Sequence, residues 1–554
     1  MKQTSGSDPA GFFYKIFFIR KIYFIEKYTY SILSIYSILR KSVFLIDKSV
    51  VFLYFKKQLR YPKEDSRIRG EAMDIIFDNF STILLLTNTL LSLVIVFTER
   101  KETAQTWAWL LVLTFIPILG FFLYIFFGRG ISKDKIFDLK IQGKIGKNLE
   151  IEEDRQALMR GLYPHPPTGQ VDVKQLIYML TVGESTLYTT SNDVTLFTDG
   201  REKFDRLIED IEQATDHIHL QYYIYRSDSL GIEVCQALTS AVRRGVQVRV
   251  LLDAWGSTEV STKFFHELKE AGGEVAFFFP LFVPYLNPRI NYRNHRKIVV
   301  IDGKIGYTGG FNVGNEYLGL VQKFGYWRDN HLRIYGEGVY ALQNRFLMDW
   351  NSQHTKEVNY AARFFPSIAS TGEIALQVVT SGPDSEHEQI KMTYLKMISL
   401  AKREILIQTP YYIPDESIHE ALKLALLSGV KVHLQIPNKP DHPLVYWATY
   451  SFAAELIEYG AVIETYENGF IHAKTMIIDS GIVSVGSANI DVRSFRLDFE
   501  VNTLIYDERI ATQVRGAFFE DSKVSDRLTK ERYEARGWMI KLKEGLARLV
   551  SPLL

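Results

Sequence analysis

The chain has 554 residues, of which 47% are hydrophobic and 23% are charged, and this composition excludes a disordered tail. Its 65 basic residues almost balance 64 acidic residues, so a net charge of +1 argues against a protein whose main partner is nucleic acid. A single cysteine, Cys235, excludes an intrachain disulfide framework and a cysteine-rich metal site. The length predicts two or three folded domains.

Residues 1–72 differ from the rest of the chain. They are rich in Phe, Ile, Tyr and Lys, yet their longest uncharged run, Tyr28 to Leu39, is too short to span a bilayer. They show neither helical nor strand periodicity. We expect Met73 to be the true start and residues 1–72 to be an upstream leader or a non-native extension. The alternative is an amphipathic, basic segment on a membrane surface.

Two long uncharged runs follow Met73 and predict membrane-spanning helices. A span needs about 20 apolar residues, and the runs place spans at about 79–98 and 107–127, forming a hairpin within residues 73–130. A pair of buried core helices is the alternative. The linker at residues 131–193 begins with many basic residues, which places the rest of the chain on the cytoplasmic side.

The remaining chain is internally repeated. "RRGVQVRVLL" (Arg243 to Leu252) recurs as "LSGVKVHLQI" (Leu427 to Ile436), and each is a helix end followed by a strand. Alternating strands and helices predict α/β domains with mixed sheets flanked by helices. We place the two domains at 194–351 and 372–526, with an amphipathic helix at 527–554.

Each repeat contains one copy of a His, Lys and Asp motif, and the two copies lie 177 positions apart. The copies fall within residues 289–317 and 466–493. The candidate catalytic residues are His295, Lys297 and Asp302 in the first copy and His472, Lys474 and Asp479 in the second. Residues two apart on a strand share a face, so His and Lys point together. The Asp has the opposite parity and precedes turn residues, so we expect it to brace a hairpin.

A second shared spacing adds polar residues to this site. Asn312 and Asn489 each lie 17 residues after the motif His, and Ser487 adds a hydroxyl in the second copy. Together with the two Lys they supply the donors and the charge that bind a phosphate. The two His supply a nucleophile and a general acid. Asp329 and Glu500 are available to orient the imidazoles.

A single His and Lys pair on a strand is more often a surface pair than a site, but two matched copies within a larger duplication favour a site built from two halves. The motifs resemble those of the phospholipase D superfamily, whose signature is a doubled HxKxxxxD, and within it those of the bacterial cardiolipin synthases. The resemblance runs from about Met73 to Leu554 and includes "FGYWRDNHLRI", "GSANIDVRSF" and "LARLVSPLL". It implies two tandem phospholipase D-like domains related by a pseudo-twofold axis.

The resemblance also implies an activity that uses neither a metal nor a cofactor. A phosphatidyl group would pass from one phosphatidylglycerol to another through a phosphohistidine, giving cardiolipin and glycerol, with His295 as nucleophile and His472 as acid and base. The implied location is the bacterial cytoplasmic membrane, with the catalytic domains on its cytoplasmic side and no nucleic acid as partner. A hydrolytic phospholipase D and a non-catalytic membrane scaffold are the alternatives. The sequence leaves the oligomeric state open.

Overall fold

The computed structural model describes residues 86–93, 103–115, 120, 124, 168, 171–183, 186–279, 291–353, 358–369, 372–385 and 387–551. The predicted leader at 1–72 lies outside these residues, as do parts of both predicted spans and most of the predicted linker. Residues 86–93 are helical, as is α1 (Thr103–Phe115), and the side-chain amide of Asn88 donates to the carbonyl of Leu113 at 3.1 Å. Among the described residues, no helix has both the length and the apolar character needed to cross a bilayer.

The first repeat forms a mixed sheet. Its half of the chain contains the strands β1 (Tyr188–Thr189), β2 (Asn192–Phe197), β3 (His217–Tyr222), β4 (Gln247–Asp253), β5 (Glu274–Phe278), β6 (Ile298–Ile301), β7 (Ile305–Gly309), β8 (Trp327–Arg328) and β9 (His331–Gly336). Seven of them form one sheet in the order β2-β9-β7-β6-β3-β4-β5. β3, β4 and β5 are parallel because helices connect them, whereas the other neighbours are antiparallel, and a short turn joins β6 to β7.

The second repeat builds the same sheet again. Its strands are β10 (Ala375–Ser381), β11 (Glu404–Gln408), β12 (Tyr412–Ile413), β13 (Lys431–Pro437), β14 (Val462–Tyr466), β15 (Phe470–Ile471), β16 (Thr475–Ile478), β17 (Ile482–Gly486), β18 (Ile490–Asp491), β19 (Glu500–Tyr506) and β20 (Ser525–Arg527). The order β10-β19-β17-β16-β11-β13-β14 matches the first sheet strand for strand, and β1 and β20 extend its edges. The predicted pair of domains with mixed sheets is confirmed.

Strand β1 crosses the predicted domain boundary. It precedes the first domain in the chain, yet Tyr188 is paired with Gln377 of β10 in the second sheet. Part of the predicted linker at 131–193 is therefore built into the second domain. β2 begins at Asn192, two residues before the predicted start of the first domain.

Helices cover the sheets. Those after α1 are α2 (Lys174–Tyr178), α3 (Gly200–Gln213), α4 (Ser229–Arg243), α5 (His266–Glu270), α6 (Val339–Asn351), α7 (Gln389–Leu400), α8 (Glu416–Leu427), α9 (Pro443–Glu458), α10 (Val492–Arg496), α11 (Glu508–Ser522), α12 (Lys530–Glu534) and α13 (Trp538–Val550). An aspartate caps the first turn of α3, α4, α8 and α11, where its carboxylate accepts from backbone N–H groups. The predicted helix at 527–554 is divided, since the backbone of Gly537 is extended between α12 and α13.

Three of the apolar cores in the described part of the chain hold the layers together. One core packs α3 and α4 on the first sheet and includes the fully buried Leu238, and another packs α7 and α8 on the second sheet and includes the fully buried Leu422. The third lies between the two sheets and includes Phe346 of α6 and Phe518 of α11. Because both sheets contribute to this middle core, the two domains share an extensive apolar interface.

Short strand pairings fasten the domains to each other beside the two motif histidines. β8 of the first domain pairs with β15 of the second, with Arg328 opposite Ile471. Asn294 of the first domain forms the matching β-bridge with Phe499 of the second domain. Arg328 also forms a buried ion pair with Asp521 of the second domain at 2.9 Å. The domains are therefore connected through main-chain pairing as well as through side chains.

Arg296 lies between His295 and Lys297 in the first copy of the motif and is fully buried. Its guanidinium pairs with Asp349 at 2.9 Å and donates to the carbonyl oxygens of Glu500 and Ser381 in the second domain at 3.1 and 3.0 Å. Neighbouring residues in extended chain point to opposite faces, so the side chain of Arg296 points away from that of His295 and into the domain interface. A buried guanidinium needs such partners because an unpaired buried charge is strongly destabilising.

The motif aspartates lie in the hairpin turns at the far ends of β6 and β16. Asp302 accepts hydrogen bonds from the backbone N–H groups of residues 215–217 at 2.8–3.0 Å, and Asp479 accepts from residues 402–404 at 2.7–2.9 Å. Both have left-handed backbone, with φ of 52° and 50°. Seven residues of extended chain separate each Asp from its His, a span on the order of 20 Å. Both aspartates therefore brace the turns, as their parity and the turn residues after them predicted, while their place among the catalytic residues stays a prediction.

We predict that Asp302→Asn lowers the free energy of unfolding by about 1–3 kcal/mol, because the amide removes one acceptor and leaves a backbone N–H group unsatisfied. Activity per folded molecule should be retained. Thermal unfolding at neutral pH and turnover at a temperature below the transition would measure the two quantities. Asp205→Asn, at an exposed position on α3, is the matched control. A stably folded but inactive Asp302→Asn protein would contradict this role.

Candidate active site

Both motif histidines lie at the domain interface, and each is fixed by the backbone of the other domain. The N–H of His295 donates to the carbonyl of Phe499 at 2.9 Å. The N–H of His472 donates to the carbonyl of Arg328 at 2.7 Å. These bonds continue the two strand bridges between the domains, so the imidazoles are positioned by the same pairing that joins the halves.

Each imidazole also takes its acidic partner from the other domain. Nδ1 of His295 donates to the carboxylate of Glu500 at 2.9 and 3.0 Å, and Nδ1 of His472 donates to Asp329 at 2.6 Å. The sequence named both acids, but Asp329 serves the imidazole of the second copy and not that of its own domain. The interaction fixes the tautomer, because a carboxylate can only accept, and it leaves Nε2 of each ring with a lone pair.

The two motif lysines lie against the backbone of their own histidines. Nζ of Lys297 donates to the carbonyl of His295 at 2.6 Å, and Nζ of Lys474 donates to that of His472 at 2.5 Å. The charge of Lys474 lowers the pKa of Lys297, and the charges of both lysines lower the pKa values of both imidazoles. The four groups therefore share one electrostatic environment. The structure therefore brings together the four residues that the sequence placed at the centre of the site.

Burial changes the ionisation of these groups. It lowers the pKa of Lys297 to about 7 and that of Lys474 to about 8, against 10.5 in water. Burial, assisted by the positive charge of Lys474, lowers the pKa of His472 to about 4, and burial with both lysine charges lowers the pKa of His295 well below its usual range. An anionic group between the lysines would raise all four pKa values again, so the site favours an anion.

The two acids differ in their surroundings. Burial raises the pKa of Glu500 to about 7, and the hydroxyl of Ser487 donates to its carboxylate at 2.5 Å. In this structure the hydroxyl of Ser487 holds the acid, and its predicted contact with a phosphate stays a prediction. Gly310 occupies the equivalent position in the first domain, where an added Cβ would lie 1.9 Å from Oδ1 of Asp329. Glycine is required there to leave room for the shorter acid.

The two predicted phosphate-binding asparagines are buried but are not equivalent. The side-chain oxygen of Asn312 accepts from the N–H of Ile224 at 3.1 Å, and its amide group donates to the hydroxyl of Tyr317 at 3.0 Å. The side-chain oxygen of Asn489 has no hydrogen-bond partner within the part of the chain that the structure describes. Asn312 is therefore anchored by the first domain, and its predicted contact with phosphate stays a prediction, as does that of Asn489.

Sequence reasoning missed three residues that surround the imidazoles. The ring of Tyr223 meets that of His295 edge-on at 4.9 Å, and the ring of Trp327 lies 5.1 Å from that of His472. Arg493 acts on His295 through its charge. The repeated "QYYIY" and "TPYYIP" segments could have indicated an aromatic neighbour. Arg493 has no such signal, because the position 177 residues earlier is Glu316.

A duplicated sheet with one His, one Lys and one acidic partner from each half defines a phospholipase D-like fold, and comparisons with known proteins agree. A family model described as "Cardiolipin synthase, PLD-like domain" matches residues 207–350 and 394–522. A second, described as "Phospholipase_D-nuclease N-terminal", matches residues 88–129.

Curated relatives place the chain within one branch of that class. It is 51% identical over 481 residues to the "Major cardiolipin synthase ClsA" of Bacillus subtilis, covering 86% of this chain and all of the relative. It is 51% identical to a cardiolipin synthase of Listeria monocytogenes and 49% identical to one of Staphylococcus aureus, covering 85% and 87% of this chain and 98% of each relative. The chain belongs to the cardiolipin synthase family of the phospholipase D superfamily.

A solved structure shares the fold at much lower identity. The phosphatidylserine synthase of Haemophilus influenzae matches 65% of this chain and 95% of its own, with a TM-score of 0.52 and 16% sequence identity. At that level of identity the similarity shows a common fold alone.

We predict that Glu500→Gln and Asp329→Asn each lower turnover by about 10²-fold or more, because an amide no longer stabilises the charged imidazole or fixes its tautomer. Both substitutions preserve size, so folding should change little. Turnover with matched thermal unfolding would measure the effect. The control is Glu464→Gln, which alters a His and Glu pair of the same kind with His433 at 3.0 Å. Loss of activity in the control as well would point to folding.

We also predict that the lysines set the alkaline limb of activity. Both must be protonated to bind an anion, so kcat/KM should fall as the pH rises through about 7 to 8, the pKa values of Lys297 and Lys474. Lys297→Arg keeps its charge and should move this limb to higher pH, while lowering the maximum because a guanidinium differs in shape. Lys304→Arg, an exposed change in the turn after β6, is the control. An unshifted limb in Lys297→Arg would contradict this assignment.

Proposed function

We propose that the protein is a phosphatidyltransferase that joins two phosphatidylglycerol molecules into cardiolipin and releases glycerol. The observation that carries the proposal is the paired site, in which two neutral imidazoles with oriented Nε2 atoms share a buried environment with two lysines. Two imidazoles suit a displacement that needs a nucleophile and a separate acid, and two lysines suit a phosphodiester. Membership of the cardiolipin synthase family supports the choice of substrate.

In the first step of the proposed reaction, Nε2 of His295 attacks the phosphorus of one phosphatidylglycerol. The bond between phosphorus and the glycerol oxygen breaks, and His472 supplies the proton that this oxygen needs to leave. The product is a phosphohistidine that carries the phosphatidyl group. His472 is neutral in the empty site, but the negative charge of the bound phosphate raises its pKa, so Nε2 takes up a proton from solvent on substrate binding and can then supply it to the leaving oxygen.

In the second step, His472 removes a proton from a glycerol hydroxyl of another phosphatidylglycerol. This oxygen attacks the phosphorus, the bond to Nε2 of His295 breaks, and both imidazoles return to their starting state. Lys297 and Lys474 stabilise the charge that develops on the phosphoryl oxygens in both steps. Asn312 and Asn489 are proposed to add hydrogen bonds to the same oxygens, and Glu500 and Asp329 to hold the charged rings.

We extend the proposal to the location of the enzyme. The uncharged runs at 79–98 and 107–127 are long enough to span a bilayer as a hairpin, and the family model for the N-terminal region includes most of this stretch. The basic residues that follow favour the cytoplasmic side for the catalytic domains. Cysteine-accessibility mapping at the loop "ERKE" and in the linker would test this topology.

The activity is tested by product analysis. Purified protein with phosphatidylglycerol vesicles should produce equal amounts of cardiolipin and free glycerol, and His295→Ala and His472→Ala should each abolish the reaction. Phosphatidic acid as the main product would favour a hydrolase, because water would then be the acceptor. Absence of turnover by a well-folded protein would favour a scaffold.

We predict that an activated substrate separates the roles of the two histidines. A phosphatidyl ester of p-nitrophenol needs no proton on its leaving group, so His472→Ala should release one equivalent of nitrophenol and retain an acid-labile, base-stable phosphate on His295. His295→Ala should give no such burst. Rapid mixing and phosphopeptide mapping would measure both results. A burst from His295→Ala, with phosphate on His472, would reverse the assignment.

A further inference from the structure

Helix α13 presents a row of uncovered apolar side chains. Five of them each expose more than half of their surface, namely Trp538, Met539, Leu542, Leu546 and Leu549. A helix advances about 100° per residue, so these five positions fall within an arc of about 100° on one side of α13. So many large apolar side chains together on one helical face usually mark an interaction surface.

The opposite face of α13 already fixes the helix to the second domain. Ala547 is fully buried in a small core with Ile413 and Ala448. Glu544 is buried and forms an ion pair with Arg536 at 2.6 Å. The exposed row is therefore not needed to attach α13, and it is available to contact a partner outside the described residues.

The charges around the row indicate what kind of partner it fits. Residues 530–550 contain six basic residues, of which Lys530, Arg532, Arg536 and Arg548 form ion pairs with nearby carboxylates. The positive charge beside the row therefore comes from the exposed Lys541 and Lys543. Lys541 and Lys543 lie on α13 itself, with Nζ of Lys543 5.5 Å from the ring centre of Trp447. A helix with a Trp and Leu face bordered by basic residues is the pattern of a segment lying in the surface of an anionic membrane.

The position of α13 relates this surface to the active site. Ile413 belongs to β12, which pairs with β18, the strand that begins directly after Asn489. α13 also packs along α9, which follows Asp441, and the charge of Asp441 acts on Lys474. The same elements thus border the site on one side and support α13 on the other.

We infer that α13 lies in the headgroup region of an anionic phospholipid bilayer, with its five exposed side chains inserted among the acyl chains, and that it thereby holds the active site close to the lipid. The inference rests on the proposed function in one respect, since a lipid substrate gives this docking its purpose. Docking of this kind shortens the distance that a phospholipid headgroup must travel to reach the two imidazoles.

A fluorophore on the row tests insertion directly. Cys235 is the only cysteine and is buried, so full-length Cys235→Ala protein with Leu546→Cys carries a single environment-sensitive label. After reconstitution into bilayers of phosphatidylglycerol and phosphatidylcholine, phospholipids brominated on their acyl chains should quench this label. The quenching should weaken in bilayers of phosphatidylcholine alone. The control label is Leu424→Cys, an exposed position on α8, and it should not be quenched in either bilayer.

Kinetics with two physical forms of one substrate provide the second test. The double variant Leu542→Gln/Leu546→Gln should lose about tenfold or more in kcat/KM on phosphatidylglycerol vesicles, because two anchoring side chains no longer insert. It should keep its turnover of a short-chain phosphatidylglycerol present as monomers. The matched control, Leu424→Gln/Leu427→Gln on α8, removes two leucines that are more exposed than Leu542 and Leu546 and should behave as wild type on both forms.

Several outcomes would overturn the inference. An unquenched label at position 546, or an equal loss on vesicles and monomers, would exclude insertion as the function of the row. Shielding of the label in detergent that depends on protein concentration would show that a second copy of the chain covers α13. If the wild-type protein turns over neither substrate form, the proposed function fails, while the quenching result still decides whether α13 inserts.

Discussion

The exchange of hydrogen-bonding partners between the two domains is the interaction on which the site depends. His295 takes its carboxylate and its main-chain acceptor from residues 499–500, and His472 takes both from residues 328–329. Neither domain alone contains an oriented imidazole. The apolar core between the sheets, the paired strands β8 and β15, and the buried Arg296 all keep this exchange in register. A change that loosens the domain interface therefore also removes the contacts that orient the two imidazoles.

The same interface explains the unusual ionisation of the site. Two lysines, two histidines and two acids are removed from water together, and burial lowers the pKa of the bases while it raises that of Glu500. The attraction between the acids and the lysines does not make up for the hydration that these charged groups lose on burial. A phosphodiester that enters with its negative charge offsets the cost of keeping both lysines protonated, so part of the binding free energy comes from relief of this imbalance.

Much of this arrangement could be predicted from the sequence, because the chain repeats itself. The matched spacing of His, Lys and Asn in the two copies predicted one site from two halves, and the turn residues after Asp302 predicted its contacts with a hairpin. The pairing of each His with the acid of the other domain could not be predicted, since it depends on how two sheets pack. The same limit explains Ser487, whose hydroxyl faces Glu500 because Ser487 directly follows β17 and Glu500 begins the neighbouring strand β19. β1 joined the second sheet for a similar reason, because strand pairing is not restricted by order along the chain.

The difference between Gly310 and Ser487 makes the two halves of the site non-equivalent. A duplicated chain starts with two identical halves, and either imidazole can then perform either task. Once one half holds a short acid against a glycine and the other holds a long acid against a serine, a serine at position 310 no longer fits, because its Cβ would lie 1.9 Å from Oδ1 of Asp329. Divergence then proceeds by linked changes in both residues of a half. The two histidines have acquired separate identities through the residues behind their partners, while the rings themselves and the lysines beside them have kept the original symmetry.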